Sequence, residues 1–402
     1  MSEPKTKKLV PKLRFPEFKN AGEWEEKRVS ALISTVTPPK KLSTAKYLTE
    51  GSYPIIDQSQ NYISGWTDDR EALITESLPL IIFGDHTCSL KIATEPFAQG
   101  ADGIKIIKTK NLVDTIYLFQ CLQYKPIVME KYKRHFSTLR EKWIQYPSIE
   151  TGEQQKIADC LSSLDKLISA QNKKIESLKV HKKGLMQQLF PAEGKTLPEL
   201  RFSEFKNTGE WKEKRLEQLG ELVSGLTYSP DDIRDHGLLV LRSSNVKNGE
   251  IVLEDNVFVT PDINGANLSK PNDILICVRN GSKALIGKNA LIPKGMPRCT
   301  HGAFMAIFRA KAANFVFQLF QTEAYTRQVA GDLGATINSI NGRQFLKYCF
   351  VVPSPEEQKK IADCLSSFDK LISAQSRKVK LLKAHKKGLL QQLFPSVDKV
   401  GA

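Results

Sequence analysis

Apolar residues recur every three or four positions along two stretches of the chain, 153–191 and 357–395. This spacing lines one face of an α-helix over about five heptads and predicts two long helices that pair through an apolar seam. Pro191 and Pro395 follow the last apolar residues and end each predicted helix. The seams consist of Ile157, Leu161, Leu164, Ile168, Ile175, Leu178, Leu185 and Leu189 in the first helix, and Ile361, Leu365, Phe368, Ile372, Val379, Leu382, Leu389 and Leu393 in the second.

The starts of both predicted helices carry polar residues at capping positions. Thr151 and Gln154 have the spacing of a capping box, in which each side chain bonds the backbone N–H of the other residue. Ser354 and Glu357 repeat this spacing, and Pro355 falls in the first turn, where a helix tolerates proline. We therefore expect both helices to begin at these residues.

Two polar residues interrupt each seam. Gln171 and Gln375 lie at the helix midpoints, whereas Lys182 and Lys386 lie near the C-terminal ends. A parallel pair would bring the two lysines together, and their like charges would repel. An antiparallel pair with aligned ends separates the lysines and sets the glutamines opposite each other, where they can hydrogen-bond. We expect the antiparallel pair; pairing of each helix with a different subunit is the alternative.

The long helices belong to a duplication. Residues 13–32 return as 200–219 with 14 of 20 positions identical, and 153–191 return as 357–395 with 30 of 39 identical. The segments between these blocks show no comparable likeness. A repeat of this length indicates duplicated domains. Repeated blocks around two diverged inserts indicate one common scaffold that carries two different recognition domains.

The two inserts, 33–152 and 220–356, combine strand and helix patterns. Runs of branched apolar residues between turn residues predict strands. We therefore expect an α+β chain with two globular domains, separated by the antiparallel coiled-coil helices and related by pseudo-two-fold symmetry. The predicted strands are 53–57, 78–84, 103–109, 237–252, 273–281 and 347–353, and the predicted helices are 115–124, 129–134 and 314–331.

The net charge indicates a partner. The 402 residues carry 59 Lys+Arg against 44 Asp+Glu, a net charge of +15 that suits a polyanion. Nine of the fifteen net charges fall on the two helix blocks, so the total does not locate a DNA groove, and a solvated basic surface is the alternative. No apolar run approaches the ~18–20 residues of a membrane span, and the first residues lack a secretory pattern. We expect a cytoplasmic protein with no membrane partner.

The loops after the predicted strands are dense in side chains that can read base edges or hold phosphates. Arg and Lys suit guanine, Asn and Gln suit adenine, and Ser suits a phosphate or either base. Polar loops are common in all proteins, so each loop alone is a weak signal. The candidate DNA-binding residues are Gln58, Ser59, Gln60, Asn61, Tyr62, Lys91, Arg242, Ser243, Ser244, Asn245, Lys247, Arg279, Asn280, Ser282, Lys283 and Arg343.

Motifs for catalysis or metal binding fail on inspection. The seven cysteines include no C-x-x-C pair and no zinc spacing, and the six histidines show no nucleophile–base spacing. The stretch from Gly281 to Lys288 resembles a phosphate loop, but Asn289 stands where Ser or Thr would hold magnesium. No N-P-P-[YF] motif for amino-methyl transfer occurs. We expect no catalytic residue, metal or cofactor on this chain.

The order of these motifs resembles the specificity subunit of bacterial type I restriction-modification systems. The resemblance covers nearly the whole chain, although the first insert matches only in outline. The motifs that carry it are the EQ-x-KIADCLSS-x-DKLI helices, their LMQQLFP and LLQQLFP ends, the paired LRF…W segments, and LRSSNVKNGEI and DILICVRNGS in the second insert.

The resemblance implies a non-catalytic subunit that binds double-stranded DNA at a bipartite, asymmetric site. Each insert would read one half-site, while the helices would set the gap and dock two methylation subunits. Those partners would bring S-adenosylmethionine for adenine methylation, and restriction subunits using ATP and Mg²⁺ would join for cleavage, on the nucleoid. The implied boundaries are 1–152 and 196–356 for the target-recognition domains, and 153–195 and 357–402 for the conserved spacer helices.

Two other functions remain open from the sequence. A stand-alone DNA-binding regulator or architectural protein would use the same two readers without an enzyme partner. A coiled-coil scaffold would have no nucleic-acid role. A neighbouring gene for a methylase with an N-P-P-F-type motif would favour the restriction-modification function.

Overall fold

The chain forms two compact units that share the long helices. Unit 1 combines the residues up to 173 with those from 377 onward, and unit 2 is 174–376. Both boundaries fall inside a long helix, so each helix contributes one end to each unit. Unit 2 is therefore continuous in sequence, whereas unit 1 is built from two separate stretches. The structure, a computed structural model, describes residues 9–130, 133–333 and 338–395.

Unit 1 holds two four-stranded sheets. Their elements are β1 (Glu25–Arg28), α1 (Val29–Leu32), β2 (Ile33–Val36), β3 (Tyr53–Ile56), β4 (Gly65–Thr67), β5 (Leu73–Ile74), β6 (Leu80–Gly84), β7 (Leu90–Ala93), β8 (Phe97–Gln99), β9 (Ile104–Thr109), α2 (Thr115–Tyr124), α3 (Phe136–Glu141), β10 (Trp143–Tyr146) and the first part of α4 (Glu153–Leu189). The first sheet is antiparallel with the order β2-β9-β6-β7. The second has the order β4-β3-β8-β5, and its central strands β3 and β8 run parallel.

Unit 2 repeats this architecture with different residues. Its elements are β11 (Lys212–Arg215), α5 (Leu216–Leu219), β12 (Gly220–Ser224), β13 (Ile233–Arg234), β14 (Leu238–Leu241), β15 (Val246–Lys247), β16 (Glu250–Ile251), β17 (Val257–Val259), β18 (Ile274–Cys277), β19 (Asn289–Leu291), β20 (Cys299–His301), β21 (Met305–Ala310), α6 (Ala313–Leu319), α7 (Glu323–Asp332), α8 (Gly342–Phe345), β22 (Cys349–Val352) and α9 (Pro355–Leu393). The antiparallel sheet is β12-β21-β18-β19, and the second sheet, β13-β17-β14-β20, again contains a parallel pair, β14 and β20. The two inserts therefore share a strand order that their sequences do not reveal.

The predicted elements are largely confirmed, with two corrections. Every predicted strand run contains a strand, and α2 has the predicted bounds of 115–124. The helix predicted over 314–331 is instead two helices, because the Thr322 hydroxyl donates to the Leu319 carbonyl (2.6 Å) and accepts from the Tyr325 N–H at the start of α7.

The helix predicted over 129–134 is wrong for its described residues, 129–130 and 133–134, which are not helical. Residues 131–132 lie outside the described part. The N–H of Glu130 donates to Nε2 of His135 (2.9 Å). This bond binds the segment to a buried imidazole, and the helix α3 begins only after it.

The lysines in the seams confirm the antiparallel pair. In unit 1, Lys386 Nζ lies 2.7 Å from both carboxylate oxygens of Asp165. In unit 2, Lys182 Nζ lies 2.6 Å from Asp369 Oδ1. Each lysine is near the C-terminal end of its helix and each aspartate near the N-terminal end of the other, so the two pairs form only between antiparallel helices. The apolar seam residues are buried or half-buried, as predicted.

The same carboxylates hold the inserts on the helices. Asp165 accepts a hydrogen bond from the buried side chain of Gln120 on α2 (2.9 Å), and Asp369 accepts one from Gln318 on α6 (2.7 Å). One carboxylate in each unit therefore joins the insert, its own helix and the lysine of the other helix.

The midpoint glutamines do not make the expected bond through their oxygens. The Oε1 atoms of Gln171 and Gln375 are each buried, and neither accepts a hydrogen bond from a described residue. These glutamines interrupt the seam without completing a polar network through that atom.

Buried ion pairs fasten the LRF segments to the helix starts. Arg14 binds Glu153 through two bonds, Nε–Oε1 (2.8 Å) and Nη2–Oε2 (2.6 Å), and the two side chains are 6% and 1% exposed. Arg201 binds Glu357 in the same way, at 2.8 and 2.7 Å. A forked pair of this kind fixes orientation as well as distance.

These contacts replace the predicted capping boxes. Ser354 Oγ does accept from the Glu357 N–H (3.4 Å), but the Glu357 carboxylate turns to arginine instead of the backbone. Gln154 is buried and donates to the carbonyl of Pro147 (2.7 Å) while its Oε1 accepts from the N–H of Asp114 (2.7 Å). The Glu357 carboxylate therefore binds the LRF segment, and the Gln154 amide binds the insert. The groups that they bind are also buried and need hydrogen-bond partners.

Aromatic residues close each core over the C-terminal end of one long helix. In unit 1, the ring of Phe394 stacks on Tyr124 (5.7 Å between centroids) and meets Tyr117 edge-on (5.6 Å). In unit 2, Phe190 contacts Trp211 and Phe315 at 6.3 and 5.7 Å. Each core is therefore complete only when the C-terminal end of a long helix is in place.

Replacing Glu153 by Gln should lower the free energy of unfolding of unit 1 by about 2–4 kcal/mol, because Arg14 would stay buried without its counter-charge. The substitution E357Q should weaken unit 2 in the same way. Hydrogen exchange in urea, resolved by segment, would measure the effect in each unit.

The matched control is E17Q. The Glu17–Lys156 pair (3.0 Å) is about half exposed on both sides, so its loss should lower the free energy of unfolding far less than the loss of the buried pair. Equal effects of E17Q and E153Q would contradict the role given to the buried pair.

Candidate nucleic-acid interface

Three loop segments of unit 1 meet at one edge of its parallel strand pair. The N–H of Gly100, after β8, donates to the carbonyl of Ile56 at the end of β3 (2.9 Å). The hydroxyl of Thr87, after β6, donates to the carbonyl of Gln58 (2.7 Å), and the N–H of Asp85 donates to Gly103 (2.6 Å). Because parallel strands end at the same edge, residues distant in sequence form one surface here.

The predicted residues of unit 1 divide by exposure. Gln60, Asn61 and Tyr62 are exposed, and the Tyr62 hydroxyl donates to the carbonyl of Ile92 (2.9 Å), which fixes the ring. Ser59 is half-buried, and its N–H donates to Asp57 Oδ1 (2.8 Å). Gln58 is also half-buried, and its Oε1 accepts no bond from a described residue. The exposed tip of this loop thus carries an amide, a phenol and a second amide.

Lys91 was predicted to contact DNA, and its position corrects this. The side chain is 6% exposed and its Nζ donates to the carbonyl of Asp57 (2.8 Å). Burial lowers the pKa of Lys91, and the Asp57 carboxylate opposes that effect. Burial alone would raise the pKa of Asp57, but hydrogen bonds from Ser64 and Ser59 hold it below its usual value. Lys91 is an internal support of the loop.

Unit 2 forms the equivalent edge. The N–H of Gly302, after β20, donates to the carbonyl of Leu241 at the end of β14 (3.0 Å). Asn280, after β18, donates through its amide to Ser243 Oγ (3.2 Å), and Asn338 donates to the carbonyl of Gly281 (3.1 Å). The structure thus brings together the two loops that the sequence singled out, 242–247 and 279–283.

The cations at this edge differ in their partners. Arg242 binds the carboxylate of Asp255 (2.8 Å), and Lys247 binds Glu254 (2.6 Å). Arg279 is exposed, and its guanidinium carbon lies 5.8 Å from the centroid of the Phe304 ring. Further exposed candidates are Ser244, Ser282, Lys283 and Arg343, the last on α8.

Asn245 was also predicted to contact DNA, and it too is internal. It is fully buried, its Oδ1 accepts from the N–H of Arg242 (2.9 Å), and its Nδ2 donates to the carbonyl of Val252 (3.0 Å). A buried amide with both ends bonded shapes the loop and presents nothing to a ligand.

Two residues of the interface escaped the sequence analysis. Phe304 is 58% exposed in the turn between β20 and β21, although the apolar run around it predicts a buried strand. Gly103 has a left-handed φ of +105°, and a Cβ there would lie 2.6 Å from the carboxamide of Gln58. The glycine signal is visible in sequence only as a turn, and nothing in sequence marks the phenylalanine as exposed.

The buried histidine beside this turn is neutral. Burial lowers the pKa of His301, whose Nε2 bonds the carbonyl of Val223 (3.1 Å). It therefore supports the strand end by hydrogen bonding and carries no charge toward the edge at neutral pH.

The chemistry of the described residues points to binding. In the three described ranges, no group of three or more His, Cys, Asp or Glu side chains lies close enough to hold a metal ion. The helices of the same ranges also include none that is long and apolar enough to cross a membrane. What the two edges offer is polar, cationic and aromatic side chains on fixed loops.

Comparison with known proteins agrees with this arrangement. A family model for the type I restriction modification DNA specificity domain matches residues 21–180 and again 208–383. The chain belongs to this family, with one copy of the domain in each half. It is the non-catalytic specificity subunit of a type I restriction-modification system.

Individual relatives match all or part of the chain. The MjaVIII type I restriction enzyme specificity subunit of Methanocaldococcus jannaschii is 24% identical over 408 aligned residues, covering 95% of this chain and 93% of that protein. The EcoKI specificity subunit of Escherichia coli K12 is 29% identical over 156 residues, 36% of this chain and 33% of that protein. The crystal structure of a type I S subunit from M. genitalium has the same fold, with a TM-score of 0.69, 16% identity and coverage of 97% and 100%.

Replacing Asn245 by Ala should remove about 2 kcal/mol from the stability of the 242–255 loop, because the backbone groups of Arg242 and Val252 lose their buried partner. Amide hydrogen exchange of this loop should accelerate while the exchange of unit 1 stays the same. S244A, an exposed neighbour, is the control and should change neither. An undisturbed loop in N245A would show that Asn245 does not support it.

Proposed function

We propose that each unit reads one half of a bipartite, asymmetric site in double-stranded DNA. The carrying observation is that both units build the same strand edge and cover it with different side chains. The edge of unit 1 presents Gln60, Asn61 and Tyr62, and the edge of unit 2 presents Arg279 beside Phe304. Amide and guanidinium groups distinguish base edges in the major groove, so unlike edges read unlike sequences.

In this proposal the helices separate the two readings. The target-recognition domains are 1–152 and 196–356, and the spacer helices are 153–195 and 357–402. A helix of 37 residues spans roughly 55 Å, more than the ~34–36 Å of one DNA turn.

We also propose that two methylation subunits dock on the chain, one on each unit. Each unit has a groove with an apolar floor and a lysine rim where its insert meets the long helices, of about 450 Å³ in unit 1 and 1210 Å³ in unit 2. The duplication places equivalent residues in both. They are Lys383, Lys387, Ile168 and Leu390 in unit 1, and Lys179, Lys183, Ile372 and Met186 in unit 2. Two equivalent grooves fit two copies of one partner.

The chemistry then belongs to the partners. The methylation subunits would supply S-adenosylmethionine for transfer to adenine, and restriction subunits with ATP and Mg²⁺ would join for cleavage. This chain contributes the choice of sequence, and the assembled complex would act in the cytoplasm on the nucleoid.

The function is tested by mapping methylated adenines across the genome in cells with and without this gene. We expect one bipartite motif to disappear on deletion. Exchanging residues 33–152 for the insert of another family member should then change one half-site and leave the other unchanged. An unaltered map in the deletion strain, with the methylation subunit expressed, would exclude the proposed function, and a change in both half-sites would exclude modular reading.

Charge reversal in the grooves tests the docking. K387E should weaken the binding of one methylation subunit and K183E that of the other, each by roughly tenfold or more. Native mass spectrometry should find one partner copy on each single variant and none on the double variant. K166E, an exposed lysine of α4 outside the groove, is the control and should retain both. Two copies on the double variant would rule out the grooves.

A further inference from the structure

An exposed phenylalanine is held rigidly at the edge of unit 2. Phe304 is 58% exposed, while its neighbour Met305 is 1% exposed. The Phe304 carbonyl accepts two backbone hydrogen bonds, from the N–H groups of Val278 (3.0 Å) and Arg279 (3.1 Å). The ring is therefore presented to solvent by an ordered turn that is bonded to the adjacent loop.

Arg279 lies over this ring. Its guanidinium carbon is 5.8 Å from the ring centroid, within the range of a cation–π contact. Among the described residues, its guanidinium makes no hydrogen bond or ion pair. The other arginine of this edge, Arg242, is bound by Asp255. Of these two arginines, Arg279 is the exposed one, whereas Asp255 holds the Nη2 group of Arg242.

The loop that carries Arg279 is braced on both sides. Asn280 bonds Ser243, and the N–H of Asn280 donates to the carbonyl of Asn338 (3.3 Å). The N–H of Ile340 donates to the carbonyl of Val278 (2.8 Å). The backbone under the guanidinium is thus fixed before any ligand arrives, which reduces the ordering cost of binding.

The geometry points to a guanine as the ligand. We propose that Arg279 reads one guanine in the half-site of unit 2, and that Phe304 is the positioning residue that orients its guanidinium. A guanidinium held beside an aromatic ring leaves its N–H donors free for a ligand, and two parallel donors match O6 and N7 of guanine. A phosphate contact would need only the charge. This inference rests on the proposed DNA-reading function.

The arrangement is particular to unit 2. The strand register pairs Gly84 with Ile104 in unit 1 and Cys277 with Met305 in unit 2, so the residue that corresponds to Phe304 is Gly103. The two residues also accept the same backbone hydrogen bond, Gly103 from the N–H of Asp85 and Phe304 from the N–H of Val278. A glycine provides no aromatic support, so unit 1 does not repeat this reading.

The test uses the full chain assembled with its methylation subunits. Once the motif is known, each guanine in the half-site of unit 2 is replaced in turn by 7-deazaguanine, which lacks N7. We expect one replacement to weaken binding of the unchanged protein by roughly tenfold or more. R279M should bind the normal site more weakly and lose the sensitivity to that one replacement, because methionine keeps an apolar stem but has no donor for N7. F304L should lose part of the sensitivity, because the guanidinium no longer has the ring beside it.

Controls separate this inference from general damage. R298A removes an arginine at the opposite end of β20, paired with Asp262 at 3.5 Å, and should keep the full sensitivity. Each variant should retain the half-site of unit 1 in the methylation map, which shows that it folds and assembles.

Three results would overturn the assignment: a half-site of unit 2 without guanine, undiminished N7 sensitivity in R279M, or equal weakening of all sequences as expected of a phosphate contact. In each case the unchanged protein still directs a bipartite motif. Absence of any such motif would instead remove the proposed function itself.

Discussion

A lysine in an apolar seam must find a carboxylate, and this requirement sets the arrangement of the chain. Lys182 and Lys386 each occupy a seam position near a helix C-terminus, and each binds an aspartate near the N-terminus of the other helix. Parallel helices would leave both lysines unpaired and close to each other. Because Gln120 and Gln318 bond the same aspartates, the pairing that satisfies the lysines also fixes each insert on the helices.

The two units show how one sheet order can carry different exposed side chains. The order of the first sheet and the parallel pair of the second recur in both units, so the same three loop segments come together at the edge. The frame needs internal polar supports, and residues such as Lys91 and Asn245 provide them. The exposed side chains of the loops do not support the fold in this way, so they can differ between the two units. Under the proposed function, specificity can therefore differ between the units without a change of fold.

The sequence predicts what depends on periodicity and fails where partners decide. The long helices follow from their heptads, and the antiparallel sense follows from two lysines. The polarity of the loops does not distinguish a support such as Asn245 from an exposed side chain such as Arg279, because the difference lies in buried hydrogen bonds to distant residues. The exposure of Phe304 depends on a turn bonded to residues 278–279, which local hydropathy does not contain.

The division of unit 1 has a consequence for the order of folding during synthesis. Its core includes Leu390, Leu393 and Phe394, together with Trp24 and Tyr117. Residue 377 follows residue 173 by 204 positions, which the ribosome adds in roughly 10–40 s. Unit 2 is continuous in sequence and can complete its core as soon as it leaves the ribosome. Unit 1 is synthesised first, but its aromatic core residues stay uncovered until the residues from 377 onward are added. The nascent chain therefore completes unit 2 before unit 1, and α9 completes the core of the unit that was synthesised first.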